Sequence, residues 1–243
     1  MLEVKILKLR HMGREAAVML RPHIRESDVL SPEAAGLSEQ GADSFEKQWL
    51  NLLTLSRTAL RKSLIIPNNE YGAFVAEFQE SAYREKKPVY ILERFTEVDA
   101  RTITTLSKRF MGPYTTDFLE SAVRGEKKSL ETLKSNLVGY IQSLLLRDQE
   151  IGRNLITAES EIRRRFPSLK SKDKIRLTVY IGRCHYPEKH TPIETEVIWL
   201  PTKKTETDVL IERLYSSGDW SNVSDEDIKL LASYTINNEH LSL

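Results

Sequence analysis

A three-layer α/β/α fold with a mainly parallel central sheet and a C-terminal helical extension is what the sequence predicts. Short β-rich apolar runs alternate with helical periodicity across residues 2–200, which is the pattern of a parallel sheet covered on both faces. The first run ends abruptly in a polar, glycine-containing segment, as the carboxyl end of a buried strand does. Two modest helical patterns follow Pro201, beyond the last strand. Residues 1–200 are therefore read as one α/β domain and residues 201–243 as helices packed on it.

Val4, Ile6, Leu7 and Leu9 make the first expected strand. The stretch 23–41 is rich in Ser, Pro, Glu and Gly and reads as a loop. Asp43 with Glu46 resembles a capping box, and Phe45, Trp49, Leu52, Leu53 and Leu60 recur at helical spacing, so a helix is expected to about Arg61. Leu64-Ile65-Ile66 reads as a strand, 73–87 as a helix, and Val89-Tyr90-Ile91-Leu92 as a third strand. Residues 93–125 read as irregular with short helical pieces. Leu130, Leu133, Leu137, Tyr140, Ile141, Leu144 and Leu145 mark a long amphipathic helix that continues towards Phe166, with Gly152 as the expected kink. Its stripe is core or a homodimer face. Ile175, Leu177, Val179 and Ile181 alternate as a strand, and 196–200 supply another, expected beside it. The helical patterns 208–215 and 225–236 close the chain.

Composition excludes several classes. With 36 Lys and Arg against 35 Asp and Glu, the net charge is +1, so wholesale attraction to a nucleic-acid backbone is not expected. A single cysteine, Cys184, forbids an intramolecular disulfide and fits a reducing cytoplasm. No apolar run approaches the ~20 residues that span a bilayer, and the N-terminus lacks a signal-peptide core, so a soluble cytoplasmic protein with no membrane partner is expected.

The chemistry-bearing stretch is Leu9-Arg10-His11-Met12-Gly13-Arg14, directly after the first strand. Ligands of parallel α/β sheets collect at strand carboxyl ends. Two guanidinium forks there can hold a phosphoryl group, and a neutral imidazole beside them can attack phosphorus. Arg-His with a downstream Arg resembles the signature of the histidine phosphatase (phosphoglycerate-mutase-like) superfamily. Leu37-Ser38-Glu39-Gln40-Gly41, Leu92-Glu93, Gly125-Glu126 and the run from Val179 through His185 to Pro187 resemble further family stretches in the same order.

The resemblance implies two-step phosphoryl transfer from a phosphorylated small molecule, with phosphate ion as the minimal ligand. His11 would be the nucleophile, Arg10 and Arg14 the phosphate clamps, His185 a second pocket histidine, and Glu93 the acid that protonates the leaving oxygen. That scheme uses no metal and no other cofactor. Met12 stands where the family has glycine, and Pro67-Asn68-Asn69-Glu70-Tyr71 stands where it has a phosphate-binding arginine. A carboxylate repels phosphate, so a catalytically weakened relative acting as an anion-binding or regulatory module is the alternative expectation. An adaptor is the second, binding nucleic acid or protein through Arg163-Arg164-Arg165 and the C-terminal helices. His190 competes with His185 for its role, and Cys184 beside Arg183 reads as packing.

Overall fold

The computed structural model describes residues 1–9, 13–34, 37–56, 58, 70–110, 114–201, 205–217, 220 and 223–237. In chain order these form β1 (Leu2–Leu9), α1 (Gly13–Met19), α2 (Arg21–Glu26), β2 (Val29–Pro32), α3 (Glu39–Thr54), α4 (Glu70–Arg84), α5 (Glu97–Phe110), α6 (Thr116–Val123), α7 (Lys127–Arg165), β3 (Ile175–Gly182), β4 (Thr195–Trp199), α8 (Glu206–Ser217) and α9 (Asp225–Asn237). By contact the chain divides into one unit of residues 1–97 with 148–202 and another of 98–147 with 203–243.

The first unit carries the expected parallel sheet. Its order is β2-β3-β1-β4, and every pairing is parallel. Strand periodicity sorts side chains onto two faces. Val4 and Ile6 of β1 join Leu177, Val179 and Ile181 of β3 and Val29 of β2 against Ile151, Leu155, Ala158 and Ile162 of α7. Leu7, Leu9, Leu30 and Tyr180 point the other way, into a core with Ala16, Ala17, Trp49, Phe74 and Phe78 of the earlier helices. A central strand covered on both sides has no solvated face, so Lys8, on the same face as Val4 and Ile6, is fully buried.

Several expectations need correction. The stretch 23–41 is not all loop, since Val29–Pro32 forms β2. The run 89–92 makes only an isolated parallel bridge, Leu30 to Val89, extended by the Tyr90 N–H donating to the Leu30 carbonyl at 2.9 Å. β3 and β4 are not neighbours, because β1 lies between them. Ser38, not Asp43, caps α3, its Oγ accepting the Gly41 N–H at 3.2 Å. Asp43 and Glu46 bind arginines instead. The helix α7 is unbroken through Gly152. The expected strand 64–66 lies outside the described residues.

In the second unit the stretch read as irregular is largely helical, as α5 and α6. Thr115 caps α6 by accepting the Phe118 N–H at 3.3 Å. Phe110 stacks on Tyr140 at 4.6 Å. Leu119 and Ala122 of α6 are buried, α9 packs on α6, and Gly125, at a φ of 85°, turns the chain into α7. No helix among the described residues is long and apolar enough to cross a membrane.

Candidate active site

The carboxyl edge of the sheet gathers polar side chains from five segments, all within the first unit. Glu33 follows β2 directly, and its backbone N–H donates to the Tyr180 carbonyl at 3.0 Å, carrying the β2–β3 ladder one residue past Pro32. Its Oε2 accepts the Gly182 N–H at 2.7 Å, which fixes the carboxylate at the end of β3.

His185 follows β3 by a tight turn, its N–H donating to the Gly182 carbonyl at 3.2 Å. Its ring is 2% exposed and lies between two carboxylates: Nδ1 is 2.6 Å from Asp148 Oδ1, and Nε2 is 3.3 Å from Glu33 Oε1. Asp148 is on α7 and fully buried, and its second oxygen accepts the Tyr186 N–H at 2.6 Å. One carboxylate thus holds both the imidazole and the next peptide, which orients the ring as carboxylate partners of functional histidines do.

Glu93 is buried at the same edge, its Oε1 accepting the Ala34 N–H at 2.9 Å beside Glu33. The chain before it is tied down twice, by Leu92 N–H to Ser31 Oγ at 3.3 Å and by Asn154 Nδ2 to the Leu92 carbonyl at 2.7 Å. Lys8 lies near the end of β1, paired with Glu188 and set over the rings of Tyr186 at 4.0 Å and Trp199 at 4.7 Å. Burial holds its ammonium below the ordinary lysine value, while Glu188 pulls the other way.

The sequence-predicted residues are distributed as follows. His185 and Glu93 come to one edge. Arg10, His11 and Met12 lie outside the described residues, as do positions 67–69. Arg14 is directed elsewhere: its guanidinium, 73% exposed, donates through Nε to Glu77 Oε2 of α4 at 3.0 Å, and Arg21 binds the other oxygen of the same carboxylate. Burial pushes the Glu77 carboxyl up, but Arg21 and Arg14 outweigh it and hold the group below its ordinary value. Arg163, Arg164 and Arg165 are likewise engaged, with Glu159, Glu161 and the pair Asp43 and Glu46. Cys184 is buried.

Sequence reasoning missed Glu33, Asp148 and Lys8. Asp148 had a signal, since it falls on the apolar stripe of α7, four residues after Leu144 and three before Ile151. Lys8 had one as well, as a charge in a strand read as buried. Glu33 had none, because Ser31-Pro32-Glu33 reads as a turn.

Among the described residues no group of three His, Cys, Asp or Glu side chains is arranged to hold a metal ion. What the arrangement can do is move protons. With Nδ1 2.6 Å from Asp148 Oδ1 and Nε2 3.3 Å from Glu33 Oε1, the imidazole stands between two fixed carboxylates and can pass a proton at a defined place. No family model, curated protein or solved structure matches the chain.

Proposed function

We propose that this chain is a hydrolase of acyl bonds, an ester or an amide, with His185 and Glu33 as the acid–base pair and Asp148 as the residue that orients the imidazole. The observation that carries the reading is the buried contact of Asp148 with His185 at 2.6 Å, with Glu33 on the opposite ring nitrogen at the carboxyl edge of a parallel sheet. A water attacking the acyl carbon gives its proton to the pair. The bond to the leaving oxygen or nitrogen then breaks, and the same proton passes to the leaving group.

Charge favours an uncharged acyl substrate over a phosphate. Glu33, Glu93 and Asp148 gather at this edge, and Lys8 is already paired with Glu188. At short range a carboxylate repels a phosphate charge and leaves an uncharged acyl group unopposed. A second reading, a phosphatase working through phosphohistidine at His11, draws on the sequence resemblance and on one feature of the fold. β1 pairs in register with β3 up to Leu9 and Gly182, so Arg10 and His11 follow in sequence the strand that ends beside the segment bearing His185. With Arg14 bound to Glu77, Arg10 is the cation that reading would depend on.

The test is turnover of para-nitrophenyl acetate and of para-nitrophenyl phosphate by wild type, His185→Gln, Asp148→Asn and His11→Ala. The acyl reading expects acetate turnover that falls about 10²–10⁴-fold in His185→Gln and Asp148→Asn. Phosphate turnover abolished by His11→Ala would replace it with the second reading. Acetate turnover untouched by His185→Gln would sink it.

A further inference from the structure

A lysine with no exposed surface is rare unless it is paired, and the partner of Lys8 is Glu188. Lys8 holds three contacts at once: the Glu188 carboxylate, the Tyr186 ring at 4.0 Å and the Trp199 ring at 4.7 Å. Lys189 lies 4.3 Å from the Tyr186 ring centroid as well. Tyr186 is the residue next to His185, and Glu188 sits in the turn Pro187–His190 that follows, so β1 grips the chain just past the imidazole. After Glu188, Asp148 is the carboxylate whose field Lys8 feels most.

We propose that Lys8 is a positioning residue for His185, fixing the turn that carries the imidazole and setting, through its charge, the proton balance of the Asp148–His185–Glu33 group. The charges bearing on that group are Asp148 from α7, Glu33 after β2, Glu93 after the extended run beside it, Glu188, Lys189 and Lys8 around the turn, and Arg183, two residues before His185 and over the Trp199 ring. Lys8 is the cation among them with no exposed surface, so its removal takes from Glu188 its buried partner beside three carboxylates. The inference takes its catalytic meaning from the acid–base reading above. Measured on the imidazole itself, it stands or fails separately from turnover.

The experiment follows the His185 ring by nuclear magnetic resonance across pH, and amide hydrogen exchange from His185 to His190, in the full chain. Lys8→Met is expected to raise the midpoint of His185 titration by about half a pH unit, a roughly threefold change in protonation at fixed pH. Lys8→Arg should restore it. In Lys8→Met with Glu188→Gln, a change that removes both charges and spares the fold, exchange of these amides should quicken about tenfold, because the turn has lost its anchor. An unchanged midpoint in folded Lys8→Met, or wild-type protection in the double variant, overturns the inference. Loss of esterase activity in His185→Gln without these changes would leave the acid–base reading standing and remove Lys8 from it.

Discussion

Gly152 of α7 packs directly on the backbone of His190, so closely that a β-carbon at 152 would stand 2.5 Å from the His190 carbonyl oxygen and 2.7 Å from its carbon. The glycine is therefore a point of contact and not a kink. It lets the helix that carries Asp148 lie against the turn that follows His185.

Gly152→Ala should destabilise the protein by about 2 kcal/mol, the clash costing about 3 and helix propensity returning about 1. Gly139→Ala is the contrast, since its nearest neighbour is the movable Leu106 Cδ2 at 3.1 Å, and it should be neutral or slightly stabilising. Chemical denaturation of both variants decides the matter. Equal effects at the two positions would refute the contact argument.

Glu77 gives a pH dependence of definite sign. Its carboxyl is held below the ordinary 4.5 because Arg21 and Arg14 outweigh burial, so its contribution is present above that value and is lost as pH falls through the lower folded value. Glu77→Gln should cost about 1.5–3 kcal/mol at neutral pH, the range for hydrogen bonds to charged groups. The gap to wild type should narrow as pH falls below the ordinary 4.5 and through the lower folded value. Arg14→Ala alone should cost under about 1 kcal/mol, because that guanidinium is largely solvated. Thermal melts from pH 7 to 3 check this, and a gap that stays constant across them would contradict it.

Glu46 is buried and serves three elements at once. It accepts the Ile91 N–H at 2.7 Å, binds Arg94, and meets Arg165 of α7 at 2.9 Å. Glu46→Ala leaves the Ile91 N–H unmet and Arg94 and Arg165 with Asp43 as their shared partner, and should cost about 1–3 kcal/mol. Glu161→Ala, on the exposed end of the same arginine, should cost under about 1 kcal/mol. Urea midpoints of the two variants measure the difference.

Much of the sheet was legible in the sequence because burial imposes visible patterns. The alternation Ile175, Leu177, Val179, Ile181 and the compact run Val4 to Leu9 each gave a strand. The edge strand β2 was not legible: four residues ending in Ser31-Pro32 carry too little periodicity and too much turn chemistry. Neighbouring order was misread for β3 and β4 because nearness in sequence favours adjacency, whereas parallel strands leave room for β1 between them.

At the candidate site, His185 and Glu93 were named through the family resemblance, and the fold brings both to one sheet edge. Arg14 was assigned to a ligand, yet its partner is Glu77, 63 positions away, and no local pattern announces so distant an ion pair. The same long range hid the meeting of Asp148 with His185, 37 positions apart and on different elements.

The division of the chain makes residues 203–243 something other than an appendage. The helix Asp225–Asn237 covers the helix Thr116–Val123, and residues 98–147 belong to the same unit as 203–243. A stop codon at position 203 would therefore strip an earlier part of the polypeptide of its cover, baring Leu119 and Ala122 to water. Loss of residues 203–243 should behave as a folding defect that invites aggregation and degradation.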